Sequence, residues 1–316
     1  MAGAATVTDT TARPLRLTER LQGKFRGEIL FEEPLSRHTY FRIGGPADAM
    51  AYPADLEDLK AVLAVARHDG TPVLILGGGS NLLVLDGGFR GLVINLSRSF
   101  QELSATGEQI RCGAGVRTSR LLAFSARAGL AGLEAVTGVP GTVGGAIHGN
   151  AGTHMGTITD HLDWVRLLDD SGEERCLSRR EMGIAYRHVA LPPGAVVIEV
   201  AHTLRRGAAA EIRRTISGLL VRRHLTQPVE ARSAGCIFKN PSGDFAGRLV
   251  EQVGLKGLRR GGAQISERHG NFVVNLGGAT AADVLWLIER AAGEVEARTG
   301  VALELEIQVV GSPCPA

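Results

Sequence analysis

The 316-residue chain carries 35 Lys and Arg against 33 Asp and Glu, a formal charge of +2, with 44% hydrophobic and 22% charged residues. That balance gives no bulk electrostatic case for a nucleic-acid partner and excludes a low-complexity chain; it fits a globular protein of two or three domains. Cys112, Cys176, Cys236 and Cys314 are far apart and form no C-x-x-C pair, which argues against a zinc site or a disulfide framework and for a reducing, cytoplasmic compartment. No apolar run reaches the ~18 residues of a spanning helix, so no membrane association is expected.

In chain order, residues 1–14 lack the basic start and apolar stretch of a secretory signal and read as part of a flexible tail over 1–20. Leu56, Leu59, Leu63 and Ala66 recur at helical spacing behind Asp55, predicting a helix over 56–68 with Asp55 as its N-cap. The apolar strand 72–76 runs straight into Gly77-Gly78-Gly79-Ser80-Asn81-Leu82-Leu83. Strands at 91–96 and 109–114 and a helix around 117–128 precede a second glycine-rich run over 138–152. Segments 162–168 and 173–177 flank Asp169-Asp170-Ser171-Gly172 and read as a hairpin, with a further strand at 196–200.

A change of texture at Gly207 marks a domain boundary, beyond which 211–224 read as a basic helix carrying Arg213, Arg214, Arg222, Arg223 and His224. Leu285, Ile288, Ala292 and Val295 predict an amphipathic helix over 281–298. Residues 302–309 are expected to close the chain as a strand, with Leu303, Leu305, Ile307 and Val309 on one face and Glu304 and Glu306 on the other. This mixed order predicts an α+β fold rather than a regular βαβ array.

The glycine runs carry the functional signal. Consecutive glycines let backbone N–H groups line a concave surface and hydrogen-bond phosphate oxygens. Neither run matches G-x-G-x-x-G, and the P-loop, zincin and nucleophile-elbow patterns are absent. A second dense stretch, Ser233-Ala234-Gly235-Cys236-Ile237-Phe238-Lys239-Asn240-Pro241, places a thiol, an ammonium and an amide within a few residues. Unaided, a single Cys after Gly is more often an inert small hydrophobe than a catalytic group. The residues alone leave open an enzyme of alcohol or sugar oxidation and a nucleotide-binding module without chemistry.

Pro34-Leu35-Ser36-Arg37-His38-Thr39-Tyr40-Phe41-Arg42-Ile43-Gly44-Gly45, both glycine runs, Ala185-Tyr186-Arg187, the Cys236 stretch and Gly261-Gly262-Ala263-Gln264-Ile265-Ser266 follow one another in this order. From about residue 34 to about 311 the chain thereby resembles the UDP-N-acetylenolpyruvoylglucosamine reductases, the MurB flavoenzymes of peptidoglycan precursor synthesis, in their shorter subclass. The resemblance implies an FAD-binding part of the vanillyl-alcohol-oxidase (PCMH) type over 21–207, in two lobes of about 21–97 and 98–207, and a smaller substrate domain over 208–316. By match to the motifs, Gly77, Gly78, Gly79, Ser80, Asn81 and Leu82 would cradle the FAD pyrophosphate. Pro140, Gly141, Thr142, Gly144, Gly145, Ala146, Asn150, Ala151 and Gly152 would line the rest, with FAD noncovalent and His148 a lining residue at most.

In the family reaction NADPH reduces FAD and leaves, and UDP-N-acetylglucosamine enolpyruvate then enters the same cleft. Arg187 and Glu306 match the residues that support the developing enolate, and Cys236 stands where the family most often has Ser as proton donor. With an ordinary thiol pKa of about 8.5, Cys236 would donate its proton, lose activity at alkaline pH as thiolate forms, and be open to oxidation and alkylation. Tyr186, Arg223, His224, Lys239, Asn240, Gln264 and His269 are the expected contacts of the UDP-sugar. A monomer without a metal site is expected.

Overall fold

The computed structural model describes residues 19–21, 23 and 25–314, so residues 1–18 of the expected tail lie outside it. Strands β1 (Glu28–Pro34), β2 (Pro46–Tyr52), β3 (Val73–Leu76), β4 (Leu82–Val84) and β5 (Phe89–Asn95) belong to a first lobe. Four of them form one sheet in the order β1-β2-β5-β3, antiparallel between β1 and β2 and parallel elsewhere. Helix α1 (Leu56–His68) supplies the crossover from β2 to β3. The Asp55 side chain accepts from the Asp58 N–H at its start, and Leu59, Val62 and Ala66 are buried against Ala49, Leu92 and Ile94 of the sheet. At the near end of the tail, Arg20 pairs with Asp69 at 2.9 Å and Leu21 is buried.

A second lobe holds β6 (Leu103–Thr106), β7 (Gln109–Gly113), α2 (Thr118–Arg127), α3 (Val143–His148), β8 (Leu162–Leu168), β9 (Glu174–Ser178) and β10 (Val196–Thr203). Its five-stranded sheet is antiparallel throughout, ordered β9-β8-β10-β7-β6. The helix α4 (Ala209–Thr226) follows the change of texture at Gly207 and packs on α2 of this lobe, with Ile212 as its one buried residue and Ile216 against the second-lobe core.

The remaining chain contributes α5 (Ala246–Gln252), a small antiparallel sheet of Arg259–Arg260, Ala263–Ile265 and Val273–Asn275, and α6 (Ala281–Thr299). Thr280 and Asp283 form a capping box at the start of α6, and Gly300 ends it with φ 73°. Its buried face is Ala281, Val284, Leu287, Ile288, Ala291 and Val295; Leu285 and Ala292, expected in the stripe, pack only at its margin. The buried stripe is broader than the expected one and rotated from it.

The expected strand over 302–309 is corrected. Lys239 N donates to Glu304 O and Glu306 N to Ile237 O, both at 2.8 Å, and the chain then bends at Ile307. Only Gln308–Val310 is a strand, β11, and it pairs in parallel with β4 of the first lobe. Ile307 is buried whereas Leu305 is 38% exposed, so the simple alternation fails. The segment changes partner midway, and one ladder cannot serve both.

Besides that ladder, further contacts lock this last unit to the first lobe. The Asp86 carboxylate accepts from Ala281 N at 2.8 Å and Ala282 N at 3.1 Å, on the positive end of α6. Asn275 Nδ2 donates to Phe41 O at 3.0 Å. Phe41, Ile43 and Leu83 share one core with Leu249, Val250 and Leu287.

His202 on β10 is 0% exposed, and neither of its ring nitrogens has a hydrogen-bond partner among the described residues. Burial pushes its pKa down to about 4. The folded state therefore holds it neutral, whereas the unfolded chain takes up a proton as pH falls through about 6.5. Stability is expected to drop progressively from there to about pH 4, by roughly 3 kcal/mol from this group. Thermal unfolding of wild type and His202→Leu between pH 7 and 4.5 checks this: the variant should show the flatter profile.

Candidate active site

A cleft of about 1900 Å³ opens between the two lobes and the last unit. Pockets for one small ligand typically occupy roughly 300–1,000 Å³, so this one has room for a dinucleotide together with a second large ligand.

The loop between β3 and β4 forms one wall. A Cβ on Gly77 would overlap Thr142 Oγ1, one on Gly78 would lie 2.6 Å from Gly141 Cα, and one on Gly79, at φ 62°, would overlap the His38 carbonyl. Gly141, at φ 103°, leaves no room for a side chain beside Ser80, whose hydroxyl donates to Pro140 O at 3.0 Å. These glycines are required first by the seating of one loop on another. Gly145 and Gly149 differ: a Cβ there meets a single atom at 3.7 or 3.8 Å, and both residues line the cleft. Side chains at these two positions would project into the space a ligand needs, so the wall fits a close-lying, phosphate-bearing group.

The second wall is the hairpin Gly183–Ala185 and His188–Ala190, with Tyr186 and Arg187 at its tip. Asn150, buried and at φ 41°, holds its base by donating from Nδ2 to Ala185 O while its Oδ1 accepts from Thr159 Oγ1, both at 2.8 Å. Arg187 is in the left-handed region at φ 56°, a conformation uncommon outside glycine, and it turns the side chain toward the cleft. Its Nε lies 2.8 Å from Glu306 Oε1 but off hydrogen-bond alignment, and Nη2 donates to Gly152 O at 3.1 Å. Burial raises the Glu306 carboxyl pKa, and the Arg187 charge opposes that rise.

Cys236 lies on the same cleft, next to Gly235 at φ 80°. Its segment is clamped by Asn271, which donates from Nδ2 to Phe238 O and accepts at Oδ1 from Phe238 N, both at 2.8 Å. Burial, reinforced by Glu306, pushes the thiol up to about 12, while Arg187 and Arg223 pull the other way. That direction runs against the expected thiolate formation at moderately alkaline pH.

Residues 227–310 match the family described as UDP-N-acetylenolpyruvoylglucosamine reductase, C-terminal domain, and residues 47–178 match an FAD binding domain. The UDP-N-acetylenolpyruvoylglucosamine reductase of Geobacter sulfurreducens is 46% identical over 296 residues, covering 94% of this chain and 98% of that protein. That of Heliobacterium modesticaldum is 45% identical over 289 residues, covering 91% and 92%. The crystal structure of the reductase (MurB) from Thermus caldophilus aligns with a TM-score of 0.79 at 41% identity, over 91% of this chain and 100% of that one. The chain belongs to the UDP-N-acetylenolpyruvoylglucosamine reductase family.

As a MurB-family protein it joins an FAD-binding part to a reductase C-terminal domain in an α+β fold. Gly77, Gly78, Gly79, Ser80, Asn81, Leu82, Pro140, Thr142, Gly144, Gly145, Ala146, Ala151 and Gly152 all line the cleft, whereas Gly141 and Asn150 stand behind its surface. Tyr186, Arg223, Asn240 and His269 also line it, and the Tyr186 hydroxyl accepts from Asn240 N at 3.4 Å. Arg223 Nη1 donates to Thr137 O at 3.1 Å, and its Nε is buried without a partner.

Three expected substrate contacts do not reach the cleft. His224 is exposed with Nδ1 2.9 Å from Leu220 O, one helical step round from Arg223. Lys239 is paired with Glu304, and Gln264 is buried, donating to Gly257 O at 3.1 Å. The cleft also takes in His188, Arg222, Arg268 and Asn271, which the motifs did not single out; His188 and Arg222 adjoin expected residues in the chain, a signal that adjacency alone could have supplied. His148 lines it as expected, with its pKa lowered by burial and by His188.

Gly78→Ala is expected to lower stability by about 1–3 kcal/mol, since its Cβ has nowhere to go. Gly145→Ala should leave the ligand-free protein unchanged or slightly more stable, because alanine is the better residue inside α3. Urea unfolding midpoints of the two variants provide the comparison.

Proposed function

We propose that this chain reduces UDP-N-acetylglucosamine enolpyruvate to UDP-N-acetylmuramate, with NADPH as reductant and noncovalently held FAD. The observation that carries the reading is the meeting of Arg187, Glu306 and Cys236 on the one cleft walled by both glycine loops, in a chain related to these reductases over nearly its full length. Bound FAD would supply the two-electron step, from NADPH to the enolpyruvyl double bond. Gly77 to Leu82, Pro140, Thr142, Gly144 to Ala146, Ala151 and Gly152 would hold it, with Gly145 and Gly149 leaving it room.

Reduction of the double bond sends negative charge into the neighbouring carboxylate, and a fixed positive group must meet it. Arg187 is suited to this: Glu306 and Gly152 O fix one side of the guanidinium, and Nη1 has no hydrogen-bond partner among the described residues. Its planar fork matches a carboxylate. Glu306 orients that fork. The proton for the enolate carbon comes from the Cys236 thiol, and the thiolate left behind faces Arg187 and Arg223, whose charges favour it. Tyr186, Arg223, Asn240 and His269 receive the UDP-sugar, the arginine offering charge to the pyrophosphate.

Among the described residues no helix is long and apolar enough to cross a membrane. We place the reaction in the cytoplasm, carried out by a monomer.

The reading predicts a yellow protein whose flavin is bleached by NADPH and reoxidised by the enolpyruvyl UDP-sugar. Reoxidation by simple alcohols or sugars in its place would sink it. Cys236→Ser should retain turnover and Cys236→Ala should lose about 10²–10⁴-fold in kcat. With burial pushing the folded thiol up to about 12, kcat should show no loss through Cys236 ionisation between pH 7 and 10. Iodoacetamide should label exposed Cys176 before Cys236, and mass spectrometry of the two peptides reads that order.

A further inference from the structure

Behind the first glycine loop, away from the cleft, Glu33, His38 and Tyr52 form a connected chain of side chains. His38 Nε2 lies 2.8 Å from Glu33 Oε1 and His38 Nδ1 lies 3.2 Å from the Tyr52 hydroxyl. A carboxylate only accepts, so with a neutral ring Nε2 carries the proton to Glu33 and the Tyr52 hydroxyl donates to Nδ1. The order Tyr52 to His38 to Glu33 is then fully satisfied. The Glu33 and His38 side chains are only 14% and 17% exposed, Tyr52 is buried, and the Arg98 guanidinium stands 3.8 Å from the Tyr52 ring centroid. None of the three lines the cleft.

What this chain holds is the backbone of residues 38–40. Glu33 sits on β1 and Tyr52 on β2, neighbouring strands of the rigid sheet, so both ring nitrogens of His38 are tied to fixed points. The His38 carbonyl and Thr39 Cα lie against Gly79, whose own carbonyl accepts from Tyr40 N at 3.0 Å. Gly79 and its neighbours are thus pressed between residues 38–40 on one side and residues 140–142 on the other. Release of His38 would free the outer support of the turn while leaving every cleft-lining side chain in place.

We propose that Glu33, His38 and Tyr52 are positioning residues for the cofactor: a latch outside the cleft that sets the Gly77–Asn81 backbone at the spacing FAD binding needs. The proposal rests on the FAD reading above. It also makes the latch separable from chemistry, because Arg187, Glu306 and Cys236 lie on other segments.

Apoprotein of the full chain, titrated with FAD by flavin fluorescence, tests it. Relative to wild type, His38→Ala should raise the Kd for FAD at least about tenfold and Tyr52→Phe about three- to fivefold, as loss of two and of one hydrogen bond implies. His38→Gln, whose amide can still donate to Glu33, should recover part of the loss, and kcat at saturating FAD should stay within about twofold of wild type in all three. Tyr52→Phe keeps the ring beneath Arg98, so it decides the matter if His38→Ala fails to fold. Wild-type Kd values in the variants, with only the apoprotein melting temperature lowered, would overturn the latch and leave a purely structural cluster. A wild-type apoprotein that takes up no FAD would overturn the cofactor reading and the latch together.

Discussion

Gly78 and Gly141 come together so closely that no side chain fits between their backbones, and the geometry of the cleft follows from that contact. The two residues belong to loops of different lobes, one after β3 and one before α3. Their approach brings Gly77 onto Thr142 and Ser80 onto Pro140, so that main chain from both lobes forms a single wall. A larger residue at the seam would have to push the two loops apart. The space left at Gly145 and Gly149 has value only because the seam is closed.

The ion pair of Arg187 and Glu306 links the second lobe to the last unit across the cleft. Burying two charges costs about as much as their attraction returns, so the pair is a poor device for stability. Its placement fits the proposed chemistry. The hairpin tip holds Arg187 in an uncommon backbone conformation, Asn150 braces the hairpin from below, and Asn271 clamps the segment that carries Cys236. Strain and buried polar contacts are concentrated where three segments bring a cation, a carboxylate and a thiol to one cleft.

Periodicity revealed the helices α1 and α6 because each has an apolar face against one core, and it revealed the β8 and β9 hairpin because Asp169 to Gly172 encode its turn. It misread residues 302–309, whose partners, Ile237 to Lys239 and then β4, are remote in the chain. The glycine runs announced a backbone cradle, yet which glycines face another loop and which face a ligand is a tertiary matter invisible in composition. The same limit applies to His224, Lys239 and Gln264, drawn in by chain neighbourhood and turned aside by helix phase, an ion pair and burial. Cys236 was legible as a residue but its acidity was not, since that belongs to its surroundings.

The pairing of β4 with β11 bears on the order in which the protein can be made. β4 leaves the Gly77–Asn81 turn directly, and among the described residues its sheet partner is Gln308–Val310 alone. While the ribosome is still translating, the first lobe can close its four-stranded sheet, but the strand that carries the turn into the cleft stays without a ladder. The turn into the cleft can be fixed only after Gln308–Val310 has been made and has folded back onto β4, so it is among the last parts of this fold to set.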